Sequence, residues 1–431
     1  MEARHSFPAE RHIARPFRRI DRVHVAFVVQ RYGEEICGGA EQHCRLVAEH
    51  LTKYVDVHVL TSCALNHLPW DNHYPAGETI INGVTVHRFP VDQVRDHRAF
   101  DDLSYRVFGG THSYLDELAW VEMMGPHCPD LLTYISRHRL DFDLFIFMTY
   151  QYFPTVFGLS IVPERAAVAP LAHDDRSLDL DVYNPVFHLP RHIIYNTDTE
   201  RSMVQWRFRN DGIPNTVVGT GIFEPGPQDV EAFRQRHNLT GNVLTYVGRI
   251  ELAKGCQQLF DYFERYKAQR GGDLTLLLLG KAEIKVPRRD DIRALGFVSD
   301  EEKFAALGAS TVVVLPSETE SLSMVNLEAW TAGVPVLANG LCQVLKDNCL
   351  KADGGLYYTS YEEFAACLDI LLGEPDLRRS LAESGREYVR QNYSWDAVEA
   401  KYLEIFSRFD PHLFDNMPLR STTHEMSLIP T

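Results

Sequence analysis

Thr311-Val312-Val313-Val314-Leu315-Pro316-Ser317-Glu318-Thr319-Glu320-Ser321-Leu322-Ser323-Met324-Val325-Asn326-Leu327-Glu328-Ala329-Trp330 decides the architecture. The run Thr311–Leu315 is β-branched and apolar without alternation, as a strand buried on both faces of a parallel sheet requires. A helix follows and stops at Gly333, before Pro335. Its first turn leaves backbone N–H groups unpaired at the strand's carboxyl end. That end is electropositive and suits a phosphate. Glu320 and Glu328, eight positions apart, cannot serve the phosphate, because like charges repel. They suit hydroxyls, as sugars and riboses offer. A phosphate cradle flanked by hydroxyl acceptors describes a nucleotide-sugar site. Taken alone, strand, loop and helix are generic α/β punctuation, and the rest of the chain has to carry the weight.

Working outward, apolar strands alternate with helical stretches, the signature of parallel sheets covered on both faces. The first half gives strands near Val23–Val29, Val55–Thr61, Leu144–Met148, Ala166–Leu171 and His192–Tyr195. A helical stretch from Tyr114 to Arg137 must break or kink at Gly125-Pro126. The second half repeats the scheme with Val243–Val247, Leu274–Leu279, Thr311–Leu315 and Val334–Leu337. Phe223-Glu224-Pro225-Gly226-Pro227 is the natural linker. The expected fold is α/β, with two Rossmann-like domains facing across a cleft. Ligands then bind beyond strand carboxyl ends, where the strand order reverses. The expected division is a flexible basic arm over 1–22, a first domain over 23–225, a second over 226–394, a helix over 395–410 crossing back to the first domain, and a tail over 411–431.

At 431 residues the chain exceeds one ordinary core. Hydrophobic residues at 45% with 24% charged residues are those of a water-soluble protein. A net charge of −16 argues against nucleic acid as a partner. No apolar run reaches the roughly 18 residues of a membrane span, and no apolar leader opens the chain. Eight cysteines without a C-x-x-C pair fit a reduced, cytoplasmic protein and supply no zinc site. The arginine-rich arm over 1–22 allows peripheral contact with anionic lipid on the inner face of a membrane.

Three other loops carry chemistry. Val243–Val247 runs into Gly248-Arg249-Ile250-Glu251-Leu252-Ala253-Lys254-Gly255, placing Arg249 and Lys254 at a strand's carboxyl end. Arg grips two phosphate oxygens and Lys adds a compact charge, so the pair could neutralise a diphosphate without a metal. Gly38-Gly39 ahead of a helix lets backbone approach a phosphate, yet the loop lacks the full G-x-G-x-x-G of a dinucleotide site. A dehydrogenase is therefore disfavoured. His173, followed by Asp174 and Asp175 at the end of Ala166–Leu171, could bond a sugar hydroxyl or polarise a reacting centre. Surface positions explain single histidines equally well.

In this order the motifs resemble retaining glycosyltransferases of the GT-B fold, the large family 4 among them, over roughly 23 to 409. The hallmark E-x7-E is Glu320 to Glu328, G-R…K-G is Gly248-Arg249 with Lys254-Gly255, G-G-A-E is Gly38-Gly39-Ala40-Glu41, and the cleft His-Asp is His173-Asp174. The resemblance implies that Arg249 and Lys254 hold the donor diphosphate, Glu328 the ribose and Glu320 the transferred sugar. It places the amides of Leu322, Ser323, Met324 and Val325 against sugar and phosphate, the base near Phe297, Gly38 and Gly39 over the phosphates, and His173 near the anomeric carbon. It further implies an enzyme without metal or cofactor, moving a hexose from a nucleoside-diphosphate sugar to a glycan, lipid-linked or small-molecule acceptor in polysaccharide or glycoconjugate synthesis. Where many members have Gly-Phe-Gly-like residues, this chain has Ser321-Leu322-Ser323, which narrows the room around the sugar. A nucleotide-sugar epimerase and a non-catalytic nucleotide-sugar binding protein are the alternatives. Acceptor choice is expected from the irregular region Ala64–Gly110, whose Trp70, Tyr74, Phe89, Phe100 and Tyr105 could stack on sugar rings or simply pack.

Overall fold

The computed structural model describes residues 23–36 and 38–409. The expected arm over 1–22 and tail over 411–431 lie outside the described residues.

The first sheet contains β1 (His24–Val28), β2 (Asp56–Ser62), β3 (Gly77–Ile81), β4 (Val84–Phe89), β5 (Leu144–Met148), β6 (Ala166–Ala169), β7 (His192–Tyr195) and β8 (Asn215–Val217). Their spatial order is β3-β4-β2-β1-β5-β6-β7-β8. All neighbours are parallel except β3 with β4. Around it lie α1 (Gly39–Leu51), α2 (His97–Gly109), α3 (Tyr114–Met124), α4 (Pro129–His138), α5 (Phe153–Gly158), α6 (Asn184–His188) and α7 (Asp198–Phe208). The helical stretch from Tyr114 does break at Gly125-Pro126, into α3 and α4.

The second sheet contains β9 (Asn242–Val247), β10 (Leu274–Leu279), β11 (Ile292–Gly296), β12 (Val312–Leu315), β13 (Val336–Asn339) and β14 (Gly355–Tyr358). It is parallel throughout, in the order β11-β10-β9-β12-β13-β14. Its helices are α8 (Val230–Arg236), α9 (Cys256–Arg270), α10 (Asp300–Gly308), α11 (Met324–Thr331), α12 (Gln343–Ala352), α13 (Tyr361–Gly373) and α14 (Pro375–Asn392). The last helix, α15 (Trp395–Phe409), leaves this unit: Val398, Tyr402, Ile405 and Phe406 are buried with Val25, Val47 and Val57 of the first.

Strand order reverses between β1 and β5 in one sheet and between β9 and β12 in the other. The loops that leave β9 and β12 are the two carrying Arg249, Lys254 and Glu320. Topology therefore places the chemistry of the sequence at the crevice where such sheets bind ligands.

Two expectations need correction. The strand ending at Leu171 stops at Ala169, because Leu171 takes φ +51 and leaves the extended region. The region 64–110 is not irregular: it holds the β3–β4 hairpin and α2. Within it Trp70 is 1% exposed, Phe89 and Phe100 pack on the core, and Tyr74 lies under the Arg88 guanidinium at 3.9 Å. Trp70 is thus closed to sugar stacking, and Tyr105, 81% exposed, is the free ring of the set.

Candidate functional site

Close backbone packing brings the loops after β9 and β12 together. Gly255 has φ +71, and a Cβ there would lie 2.3 Å from the Pro316 carbonyl oxygen. Only glycine permits that approach. Tyr246 Oη donates to the Arg249 carbonyl at 2.6 Å and fixes the turn after β9. Lys254 Nζ, arriving on that turn, donates to Glu320 Oε1 at 2.8 Å. Arg249 Nη2 lies 3.1 Å from Glu251 Oε1 with its side chain about half exposed.

Glu328, within α11, is 7% exposed. Its Oε1 accepts from Lys303 Nζ of α10 at 2.7 Å, and Lys303 also reaches Asp300 at 2.9 Å. Burial holds the Glu328 carboxyl above its ordinary range against the pull of Lys303. Lys303 is shifted up: desolvation opposes its charge, and Glu328 and Asp300 outweigh that. Glu328 Oε2 is free of any bond to another described residue. Nothing in the sequence pairs position 303 with 328, which meet only through α10 packing on α11.

At the head of α11 the cap residue Ser323 takes φ +65, ψ +82, and its hydroxyl makes no cap bond. The amides of Leu322, Ser323, Met324 and Val325 bond no other described residue. They are free donors at an electropositive helix end. Phe297, 75% exposed, follows β11 at the same carboxyl edge of the sheet.

Across the gap, Gly38 caps α1 and Gly39 opens it; a Cβ on Gly39 would meet nothing within 4 Å. Behind them Arg31 holds Glu41 through Nε at 2.9 Å and Nη2 at 2.6 Å, both side chains buried. His173 follows β6, with Nε2 3.9 Å from Asp175 Oδ2. The loop is fixed by Glu200, a buried acid whose Oε1 accepts the Ala172 amide and whose Oε2 accepts the Asn196 amide, each at 2.6 Å. Burial raises the Glu200 carboxyl to about 8, against those backbone bonds. The two units touch where Asn196 Nδ2 and Thr197 Oγ1 each meet Ser321 at 3.5 Å, and where Lys351 Nζ meets Asp198 at 2.9 Å. Sequence reasoning missed Lys303, Glu200 and the Arg31–Glu41 pair; the last stood ten residues apart beside the Gly-Gly loop and was open to being read.

Arg249, Lys254, Glu320 and Glu328 thus share one edge of the second sheet. A hollow of about 810 Å³ behind the linker, lined by Phe223, Pro225, Arg386 and Trp395 among others, contains none of them. Among the described residues, no group of three His, Cys, Asp or Glu side chains could hold a metal ion. No helix there is long and apolar enough to cross a membrane.

Two facing parallel sheets with an exchanged last helix define the GT-B fold. Solved structures agree. Sucrose-phosphate synthase from Thermosynechococcus elongatus superposes with a TM-score of 0.65 over 90% of this chain and 99% of that one, at 16% identity. Anabaena HepE, in complex with UDP and glucose, gives 0.63 over 89% and 99%, at 17% identity. Residues 227–388 match the model of the family described as glycosyl transferases group 1. Among curated proteins, the chain is 25% identical over 240 residues to the D-inositol 3-phosphate glycosyltransferase of Jonesia denitrificans, covering 50% of this chain and 56% of that one. It is 26% identical over 195 residues to the MMP alpha-(1->4)-mannosyltransferase of Mycolicibacterium hassiacum, covering 42% and 46%. The chain spans about half the length of the curated relatives it matches.

Proposed function

We propose that the protein is a retaining glycosyltransferase of family 4, moving a hexose from a nucleoside-diphosphate sugar to an acceptor hydroxyl. The observation that supports this reading is the contact of Lys254 with Glu320 at the carboxyl edge of the second sheet, which also bears Arg249, Glu328 and the free amides of α11. Relatives named as sugar transferases and a neighbour holding UDP and glucose support it.

Arg249 and Lys254 are each paired with an acid, Glu251 and Glu320. A donor diphosphate competes for these cations, and the α11 amides add fixed donors to it. Release of Glu320 from Lys254 leaves its carboxylate to accept from sugar hydroxyls. Glu328, anchored at one oxygen by Lys303, offers the other to the ribose. In the transition state positive charge grows on the sugar and negative charge on the departing phosphate. Arg249, Lys254 and the helix end meet the latter as it develops. Attack of the acceptor on the face the diphosphate leaves, with that diphosphate taking the acceptor's proton, gives retention without a protein nucleophile. His173 then contacts the sugar near its anomeric carbon, and closure of the cleft excludes water.

The test is a screen of nucleoside diphosphates for thermal stabilisation, followed by transfer assays with R249A and K254A. Each substitution is expected to reduce turnover by roughly 100-fold or more with the fold intact. Near-normal transfer by both would overturn the assignment. Conversion of the donor to an isomer without acceptor would favour the epimerase instead.

A further inference from the structure

Two side chains of α7 hold the loop that carries His173. Glu200 and Arg207 are seven positions apart, close to two helical turns, so they lie on one face of α7. Glu200 Oε1 accepts the Ala172 amide at 2.6 Å, directly before His173. Arg207 closes on the far side: Nη2 donates to Asp174 Oδ1 at 3.3 Å and Nη1 to the Asp175 carbonyl at 3.2 Å. The backbone requires such a grip. Leu171 enters the loop at φ +51, a conformation that costs a residue with a Cβ about 1–2 kcal/mol and persists only where its surroundings impose it.

Glu200 joins two loops rather than one. It is 1% exposed, and burying a carboxyl is unfavourable unless its oxygens are occupied. One oxygen takes the Ala172 amide after β6, the other the Asn196 amide after β7. An ionised carboxylate accepts at both oxygens, whereas a glutamine offers one acceptor and one donor. The backbone beside His173 is thereby tied to Asn196.

Asn196 belongs to the surface that meets the second unit. Its Nδ2 and Thr197 Oγ1 each reach Ser321, the neighbour of Glu320, at 3.5 Å. Thr199 Oγ1 donates to Asp347 at 2.5 Å, and Asp198 accepts from Lys351 at 2.9 Å, both partners on α12. One helix and its cap therefore touch the donor loop at their head and grip the His173 loop along their length.

Resting on the transferase reading, we propose that Glu200 and Arg207 are positioning residues for the reaction, setting the His173 ring through the backbone on either side of it. Neither acts on the substrate directly; their effect passes through His173. The contact of α7 with Ser321 keeps that setting in register with the sugar held on the donor loop.

The first experiment is a double-mutant cycle on transfer by the full chain. It is run near pH 9, above the Glu200 carboxyl, which burial raises to about 8. E200Q and R207M are each expected to lower kcat roughly 10-fold or more, with donor KM changed much less. In an H173N background the same substitutions should change kcat by no more than about twofold, because the residue they act through is gone. Additive losses in the cycle overturn the proposal, as does an unchanged kcat in both single variants. R207M, at a partly exposed position, serves if E200Q does not fold. The second experiment needs no transfer. The imidazole proton signals of His173 are identified by their absence from H173N, and both single variants should move them and shift their titration midpoint. Signals and midpoint identical to wild type overturn the proposal. If no nucleoside diphosphate stabilises the wild type, the transferase reading falls, while displaced His173 signals would still show that α7 sets this ring.

Discussion

Replacing Ser323 by glycine should stabilise the protein while altering its donor. Ser323 holds φ +65 at the head of α11, a conformation that costs a residue with a Cβ about 1–2 kcal/mol. Glycine adopts it freely, and pays back roughly 0.5–1 kcal/mol through the greater freedom of its unfolded chain. The usual loss on removing a serine cap does not apply, since this hydroxyl caps nothing. The net gain is on the order of 0.5–1 kcal/mol, which for a unit of 150–250 residues raises Tm by about 1–4 °C. Thermal unfolding of the ligand-free S323G and wild-type proteins, side by side, measures it. The same change removes Cβ and Oγ beside the α11 amides, so KM across a panel of donor sugars should shift more for bulkier sugars than for the free nucleoside diphosphate. A lower Tm for S323G would refute the strain argument. A higher Tm with unchanged donor preference would keep the strain and discard the steric role.

Lys303→Met strands Glu328 as a buried charge and should cost roughly 3 kcal/mol in urea denaturation, with K303M/E328Q recovering most of it; a neutral K303M would show the pair to be solvated. His43 is buried, donates from Nε2 to the Gly219 carbonyl at 3.1 Å, and is depressed to about 4 chiefly by burial. The unfolded chain binds a proton there near pH 6.5 that the folded chain refuses, so stability is complete above that pH and falls as pH drops toward 4, by at most about 3 kcal/mol. Denaturation of wild type and H43N at a series of pH values checks this, and identical slopes would exclude His43. R249A and K254A should retain the wild-type Tm within a degree or two while losing transfer, because both side chains are partly exposed and pair only locally.

The second sheet and the edge that bears Arg249, Lys254, Glu320 and Glu328 were legible because β9, β10 and β12 are mostly apolar runs and Arg249, Lys254 and Glu320 lie within a few residues of a strand end, with Glu328 on the helix that follows. The β3–β4 hairpin was not. Gly77–Ile81 is almost wholly exposed and shows no apolar alternation. Its one strong signal was Asn82-Gly83, both at positive φ, a two-residue turn between strands that the reading passed over. Partnerships were least accessible. Lys303 with Glu328, Glu200 with Ala172 and Arg95 with the Trp70 ring join residues distant in sequence, and no local pattern encodes them. The aromatic stretch shows the same limit from the other side: the sequence leaves Trp70 open to stacking or packing, and the fold encloses it.

Because α15 returns to the first unit, the polypeptide crosses the gap twice, once through residues 222–230 and once through 393–395, where Ile222 and Tyr393 are hydrogen bonded at 2.9 Å. Paired crossings side by side act as a door hinge: they leave one easy axis of swing and resist both torsion and separation. Shortening the protein ahead of Trp395 would therefore do more than trim an end. It would uncover the apolar groove where Val398 and Tyr402 lie, and leave the remaining crossing free to twist.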